Sequence, residues 1–258
     1  MSDFSFAIVT LPYPGSDWTE QARDAEADGF AAILLPDTLF TPSPFPVLAA
    51  AAAVTTRIHL RPNVLAAPLR SPAMTAREVT ALQLLSGGRF ELGIGAGRPE
   101  ARGEAEKLGM PWGSGARRRE QVRETVEAVR AAEPATPVIV AASGPKMLSE
   151  AAAYADRITL AAPPQATEAE LAELVRTVRD AGGEHIGFSH QLIGIGEHLQ
   201  MYVGKSGIDV TGAAALLPGD PAEAADLLVE RRERLGIDEY LVAADLAGAF
   251  RPVIERLA

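Results

Sequence analysis

The turn Ser143-Gly144-Pro145-Lys146 contains the residues with the clearest chemical use in this sequence. Proline favours the first position of a helix, so a helix is predicted to begin at Pro145, which leaves the N–H groups of Lys146 and Met147 without partners inside the helix. Those N–H groups and the positive end of the helix dipole suit a phosphate. The other interpretation is an ordinary turn between a strand and a helix, which uses the same residue types.

Three polar side chains that follow predicted strands are candidates for acid–base or anion-binding chemistry. Asp37 is either a hydrogen-bonding site group or a turn residue, and Arg98 either pairs with an anion or is a solvated loop residue. His198 is the one histidine just beyond a predicted strand, so it is placed for acid–base work unless it is an exposed loop residue. His59 and His190 fall near predicted strand starts, on the face that serves stability.

Glycines occupy every second position in Gly93-x-Gly95-x-Gly97. This spacing is not the dinucleotide-binding pattern, which needs G-x-G-x-x-G. The functional interpretation is a bare backbone wall beside a flat ring, and the structural interpretation is close packing of neighbouring strands. On the sequence, both interpretations stay open.

Eight short apolar runs are predicted to be the strands that position these residues. Most are nearly continuous apolar stretches, which is typical of parallel strands buried on both faces. They are Phe6–Leu11, Ala32–Pro36, Ile58–Leu65, Phe90–Gly95, Val138–Ala142, Ile158–Ala161, Gln191–Ile195 and Tyr240–Ala243.

Helical stretches with recognisable starts lie between the strands. Asp17–Glu20, Thr167–Glu170 and Asp220–Glu223 all resemble capping boxes. The longest connections, roughly 97–115 and 197–219, both follow strands, where a barrel builds its active site. With 258 residues, the sequence predicts one α/β domain over residues 1–258, a TIM-type (β/α)8 barrel. A doubly wound open sheet also alternates strands and helices, but it more often has fewer strands.

The composition argues against several partners and sites. The net charge is −10, whereas nucleic acid or an anionic membrane needs a basic face. Cysteine is absent, and no histidine–carboxylate spacing indicates a metal site. The start, Met1-Ser2-Asp3-Phe4, does not resemble a signal peptide, and no apolar run approaches the ~20 residues of a membrane span. We therefore expect a cytoplasmic protein with a small-molecule substrate.

Two segments, Arg57–Pro72 and Leu84–Gly97, resemble the bacterial luciferase-like flavin or deazaflavin oxidoreductases. The segments Pro137–Pro145, Leu217–Glu223 and Leu235–Tyr240 fit the same family. The resemblance implies a TIM barrel that binds FMN or coenzyme F420, with the ring across the strand ends. It also implies a homodimer as the oligomeric partner, since family members are often dimers.

The resemblance assigns residues to the cofactor. The third strand supplies Asn63, Val64 and Leu65, with a non-prolyl cis peptide expected by position at Val64–Leu65. The loop Gly95-Ala96-Gly97 would line the cofactor, and Arg98 would anchor a phosphate or an anionic substrate. Phosphate contacts carry over to Ser143, Gly144 and the amides of Lys146 and Met147, and Asp37 matches a position beside the ring in deazaflavin members.

Three departures from the family pattern concern proton transfer and length. Thr38 stands where many members have histidine, and Arg98 stands where some deazaflavin members have glutamate. The usual long segment between the fourth helix and the fifth strand is absent, because Val129–Glu133 runs almost directly into Pro137. Hydride transfer depends chiefly on proximity and orientation, so a redox role survives these changes better than a particular substrate does.

Three hypotheses follow. The first is an oxidoreductase using F420 or reduced FMN for hydride transfer or monooxygenation, with Thr38, Asp37 and His198 as catalytic residues. The second is a catalytically degenerate protein that holds flavin without turnover. The third is a phosphate-binding lyase or isomerase, which needs a lysine at a strand end, where Lys146 is the only candidate.

Overall fold

The computed structural model describes residues 4–257 of the chain. Met1, Ser2 and Asp3, on which the expectation about a signal peptide rests, lie outside the described residues, as does Ala258. The chain divides into two compact units. The N-terminal unit comprises residues 10–27 and 31–141, and the C-terminal unit comprises residues 4–9, 28–30 and 142–257.

Short strands recur along the described residues, as the apolar runs predict. They are β1 Ser5–Val9, β2 Ala32–Leu35, β3 His59–Pro62, β4 Leu65–Ala66, β5 Leu92–Gly95, β6 Val138–Ala142, β7 Arg157–Leu160, β8 Gly187–Gln191, β9 Gly194–Ile195, β10 His198–Leu199, β11 Leu216–Leu217 and β12 Ile237–Ala243.

Helices separate most of the strands, and those that begin at Trp18, Pro145, Glu168 and Pro221 start where the sequence predicts. They are α1 Trp18–Ala27, α2 Pro44–Ala52, α3 Pro72–Ser86, α4 Ala101–Lys107, α5 Gly115–Ala132, α6 Pro145–Ala151, α7 Glu168–Asp180, α8 Met201–Ser206, α9 Pro221–Leu235 and α10 Ala247–Leu257. The capping box of Thr167 and Glu170 forms in full, while Asp17 and Asp220 accept N–H groups of the first turn. Within residues 4–257, no helix combines the length and apolarity needed to cross a membrane.

In the N-terminal unit the strands pair in parallel. β2 pairs with β3, β4 pairs with β5, and β5 pairs with β6. β3 and β4 are the two halves of the third predicted strand, separated by a cis peptide between Asn63 and Val64. The expected position, Val64–Leu65, is wrong by one residue, because pairing with β5 already resumes at Leu65.

The amino ends of these strands are held by polar side chains that bind backbone. The Arg89 guanidinium donates to the carbonyl oxygens of Ala52, Thr55, Ile58 and Ser86 and to the Thr55 hydroxyl. The Glu26 carboxylate accepts the N–H groups of Thr56, Arg57 and Ile58. Burial opposes ionisation of Glu26, but these three hydrogen bonds lower its pKa to about 2.

In the C-terminal unit, β7, β8, β12 and β1 pair in parallel in that order. The long connection after β8 forms a small separate sheet, in which β9 lies between β10 and β11. A buried apolar cluster lies in the same connection and consists of Ile193, Val203, Val210, Ala213 and Ala215. Counting β3 and β4 as one strand, each unit contributes four parallel strands, which gives the eight that the sequence predicts.

The seventh predicted strand, Gln191–Ile195, is wrong in position. The strand that pairs with β7 and β12 is β8, Gly187–Gln191, and Gly194–Ile195 belongs to the small sheet. β8 contains serine, histidine and glutamine, so it has no apolar run, whereas the apolar residues after it serve the cluster of the connection. As a result, His190 lies near the carboxyl end of its strand and not near the start.

Candidate active site

At the carboxyl end of the N-terminal unit, close packing accounts for two of the three glycines in the Gly93–Gly97 pattern. A Cβ on Gly93 would lie 2.0 Å from the carbonyl oxygen of Pro62. Gly97 has a φ of +81°, a region that favours glycine, and a Cβ there would lie 2.8 Å from the Trp112 ring. The structural interpretation of this pattern therefore applies to Gly93 and Gly97, and the spacing by itself does not indicate a ring.

Asn63, Val64 and Leu65 lie at the break in the third strand. Asn63 and Val64 are partly exposed, while Leu65 is buried in β4 opposite Ile94. A Cβ on Gly95 would lie 3.2 Å from Cγ2 of Val64, so the break lies directly against β5. The groups that this segment presents at the carboxyl end are thus those of Asn63 and Val64.

Asp37 follows β2 and forms a two-pronged ion pair with Arg70. Nη2 and Nε of Arg70 donate to the two Asp37 carboxylate oxygens at 2.7 and 3.1 Å. The Asp37 side chain is 7% exposed, and the guanidinium lies over the Phe45 ring at 5.2 Å. Because both oxygens accept from Arg70, Asp37 is a fixed carboxylate rather than a free general base.

Thr38 lies in a hydrogen-bonded turn. Its hydroxyl accepts the N–H of Phe40 at 3.1 Å and lies 3.3 Å from the Thr41 hydroxyl. The N–H of Thr41 donates to the Thr38 carbonyl oxygen at 3.2 Å. These hydrogen bonds fix the position of the Thr38 hydroxyl. Because Thr38 directly follows Asp37 in the sequence, these two predicted catalytic residues come from one short loop.

Arg98 and Glu104 form an ion pair that extends to the same loop. Arg98 donates to Oε1 of Glu104, and Oε2 of Glu104 accepts the N–H of Leu39 at 2.9 Å. The Glu104 side chain is 4% exposed and that of Arg98 is 42% exposed. Arg98, expected to anchor a phosphate or a substrate, is therefore already paired with a carboxylate.

The connection between β5 and α5 is ordered by its own packing. Met110 and Trp112 pack on a buried cluster of Ala66, Leu69 and Ala105. The Arg118 guanidinium lies 4.4 Å from the Trp112 ring centroid and donates to the carbonyl oxygen of Ala96 at 3.1 Å. These contacts fix the backbone of Gly95-Ala96-Gly97, the loop expected to line a cofactor.

In the C-terminal unit, the turn before α6 has the predicted form. Gly144 is the N-cap, Pro145 is the first helical residue, and no side chain caps the helix. Ser143, Gly144 and Lys146 are exposed while Met147 is buried, and a Cβ on Gly144 would meet no atom within 4 Å. The first-turn N–H groups thus start a helix whose approach is open.

His198 lies in β10 of the small sheet and is exposed. Together with Glu197, Gly219 and Ala249 it lines a cavity of about 360 Å³. The expected position just after the seventh strand is wrong, because that strand ends at Gln191 and the connection has formed a new sheet before His198.

Sequence reasoning missed Arg70 and Glu104, the partners of Asp37 and Arg98. A signal for Glu104 exists: it shares the buried face of α4 with Ala101 and Ala105. A carboxylate on the apolar face of a short helix needs a buried partner, so its position predicts a polar contact.

A family model described as luciferase-like monooxygenase matches residues 9–193. The chain belongs to this family. The match confirms the resemblance read from Arg57–Pro72 and Leu84–Gly97, and it covers both the ion-paired loops after β2 and β5 and the turn before α6.

Solved structures of this luciferase-like fold match nearly the whole chain. The coenzyme F420-dependent tetrahydromethanopterin reductase of Methanopyrus kandleri has a TM-score of 0.73 at 18% identity, covering 99% of both chains. A riboflavin lyase with modified FMN has a TM-score of 0.75 at 17% identity, covering 98% of this chain and 91% of that one. These likenesses confirm the predicted fold class, the α/β TIM-type (β/α)8 barrel.

Among curated luciferase-like relatives is the F420-dependent glucose-6-phosphate dehydrogenase of Beutenbergia cavernae. It is 36% identical over 116 residues, which are 42% of this chain and 34% of that protein. The match with mycobacterial relatives spans about half of their length, at 48%. The similar proteins thus include ones named for F420 and ones bound to FMN, the two cofactors that the sequence analysis gave.

Proposed function

We propose that this chain is an oxidoreductase that uses coenzyme F420 or FMN for hydride transfer to, or monooxygenation of, a small organic substrate, with residues 1–258 acting as one domain. F420 is the first candidate, because the 36% identical relative is F420-dependent. The observation that carries the proposal is membership of the luciferase-like family over residues 9–193, a span that contains the open turn before α6.

The residues present fit the phosphate of either cofactor. Gly144 has open space where a side chain would stand, and the first turn of α6 has no side-chain cap. Ser143, Gly144 and the amides of Lys146 and Met147 would hold the phosphate, since helix-start N–H groups bind anions without needing a charged side chain.

The residues at the strand ends of the N-terminal unit would line and orient the ring. Asn63, Val64 and Leu65 would supply one edge, and Gly95-Ala96-Gly97 with the paired Arg98 would supply another. The Thr38 hydroxyl can donate to or accept from a ring atom or a substrate oxygen, and the Asp37 side chain is held in place by Arg70. His198 is the proposed exchangeable acid or base.

When bound in its reduced form, either cofactor would supply a hydride equivalent, and reduced FMN would also support reaction with oxygen. The chain's own contribution is to hold the reactants in place and to exclude water. The test is a side-by-side titration of purified protein with F420 and FMN, followed by absorption and fluorescence. Binding of one cofactor in the micromolar range supports the proposal, and binding of neither overturns it.

A paired comparison tests how the phosphate is held. Gly144→Glu places a bulky acid at the helix start, whereas Lys146→Ala removes one exposed charge and leaves the backbone turn. We expect a far larger rise in cofactor Kd for Gly144→Glu than for Lys146→Ala. Equal rises would mean that the lysine charge, and not the turn, holds the phosphate.

A second candidate function is flavin or deazaflavin binding without turnover. It is favoured by the pairing of Asp37 with Arg70 and of Arg98 with Glu104, which leaves neither group free for proton transfer. Oxidation of added reduced cofactor at a rate that scales with an organic acceptor would count against this candidate. Binding with no such oxidation across a panel of carbonyl and unsaturated acceptors would favour it.

We also propose a homodimer, with the exposed side of α2 and α3 as its interface. Residues 38–56, which contain α2, have no charged side chain, and Met74, Leu84 and Leu85 of α3 are exposed. Exposed apolar patches of this kind mark interaction sites. Light scattering should give a dimer mass for the natural chain and a monomer mass for Leu84→Glu; a natural monomer would reject the proposal.

A further inference from the structure

We propose that Glu104 is a positioning residue. It accepts the Leu39 N–H and so fixes the loop that contains Thr38, and it also pairs with Arg98. Arg98 therefore holds Glu104 in place and does not bind a substrate anion. The effect of Glu104 on catalysis rests on the proposed function. The contacts themselves lie within the N-terminal unit and can be tested without any cofactor.

Both oxygens of the Glu104 carboxylate are used. Oε2 accepts the Leu39 N–H at 2.9 Å, and Oε1 accepts from Nη2 of Arg98. The side chain is 4% exposed, so little water can replace either partner. Hydrogen bonds of a buried carboxylate to a backbone N–H and to a guanidinium are among the stronger ones in proteins, and loss of either partner leaves a buried group unsatisfied.

The network joins two loops at the carboxyl ends of the strands. Glu104 lies in α4, in the connection after β5, and Leu39 lies in the loop after β2. The residue before Leu39 is Thr38, whose hydroxyl is already tied to the Phe40 N–H within the turn. Holding the Leu39 amide therefore sets the position of the whole turn, including the Thr38 hydroxyl.

Arg98 has a second carboxylate nearby but a weaker link to it. Its Nε lies 3.9 Å from Glu100, whose side chain is 73% exposed, and such an exposed pair contributes little. The buried Glu104 is thus the partner that decides where the guanidinium points. An arginine is compatible with position 98 because the carboxylate of Glu104 balances its charge.

Amide hydrogen exchange tests the positioning directly in the cofactor-free protein. In Glu104→Leu we expect the Leu39 amide to exchange at least about tenfold faster, because its acceptor is lost. Arg98→Gln, which alters a side chain 42% exposed, should leave that amide protected and keeps the test valid if Glu104→Leu does not fold. The matched control is Glu106→Gln on the same helix, 67% exposed and paired with Arg102.

Kinetics of the cofactor-loaded enzyme test the consequence. We expect Glu104→Gln to lower kcat roughly tenfold or more while changing KM little, since misplacement of a positioned group costs rate. Glu104→Asp should restore part of the loss, and Glu106→Gln should be unchanged. If Arg98 instead anchors a substrate anion, Arg98→Gln will raise KM far more than it lowers kcat.

The outcomes separate this inference from the proposed function. Unchanged exchange at Leu39 in Glu104→Leu overturns the inference even if the enzyme turns over normally, and so does a KM-dominated effect of Arg98→Gln. Faster exchange in a protein that binds neither F420 nor FMN supports the positioning role of Glu104 and rejects the proposed function alone.

Discussion

The two ends of the strands in the N-terminal unit use arginines in different ways. At the amino end, Arg89 binds four backbone carbonyls and one hydroxyl, and its acceptors lie in the segments that lead into the strands. At the carboxyl end, Arg70 and Arg98 bind the carboxylates of Asp37 and Glu104, which lie on loops. Backbone acceptors fix the entry of a strand, whereas side-chain pairs fix one loop against another.

This difference separates residues 86–89, part of the family-like segment Leu84–Gly97, from the proposed site at the carboxyl ends of the strands. In Ser86-Gly87-Gly88-Arg89, Gly87 ends α3 with a φ of +66° and Gly88 follows with a φ of +87°. Both values favour glycine, and they bring Arg89 to its backbone acceptors. This part of the family-like segment therefore stabilises the amino ends of the strands, and the proposed chemistry lies at the opposite strand ends.

The largest expected effect on stability is that of Arg89→Met. It leaves four carbonyl oxygens and a hydroxyl without their donor, and we expect the free energy of unfolding to fall by about 3 kcal/mol. Cofactor Kd should change little, because the proposed site lies at the other strand ends. Urea unfolding and a cofactor titration measure both quantities.

Arg23→Met is the control for this substitution, since Arg23 lies exposed on α1. It should change the free energy of unfolding by less than about 0.5 kcal/mol. A large loss of cofactor affinity in Arg89→Met with little loss of stability would break the comparison between the two ends.

The sequence predicts the features that depend on local patterns better than those that depend on contacts between distant residues. Strand count and helix starts come from local patterns, so the number of strands and the start of α6 at Pro145 are predictable. The seventh strand is not, because Gly187–Gln191 is polar and its neighbours, rather than its own residues, make it a strand. Asp37 and Arg98 are identifiable as polar residues after strands. Arg70, the partner of Asp37, is 33 residues away and appears only in the fold, whereas Glu104, six residues from Arg98, has a sequence signal on the buried face of α4.

His190, in the C-terminal unit, differs from the paired side chains of the N-terminal unit, because its buried Nδ1 atom has no hydrogen-bond partner. Burial lowers the pKa of His190 from an ordinary 6.5 to about 3, and the positive charge of Arg231 contributes to the same shift. The unfolded chain then binds a proton that the folded chain does not. Stability is therefore fully present above about pH 6.5 and falls towards pH 3, by roughly 1.4 kcal/mol per pH unit.

We accordingly expect the natural protein to lose about 2 kcal/mol of unfolding free energy between pH 6.5 and 5 from this histidine. His190→Leu should remove that part of the pH dependence, as measured by urea unfolding at several pH values. His185→Leu is the control, because His185 is exposed, and it should keep the natural slope. Equal slopes in the two variants would show that His190 is not the group responsible.

The smallest expected change in stability, and the sharpest test of the comparison, is that of Arg70→Met. Its guanidinium is partly exposed and lies on a loop, so water can reach Asp37 when the arginine is gone, and we expect a loss of about 1 kcal/mol. The loss of function should be larger than that of Arg89→Met, because Asp37 then has no fixed position beside Thr38. Turnover and cofactor fluorescence should change together, at a free energy of unfolding close to the natural one. If Arg70→Met lowers stability as much as Arg89→Met does and leaves turnover unchanged, then the carboxyl-end ion pairs are structural too, and the candidate chemistry must be sought in the C-terminal unit, around His198 and the turn before α6.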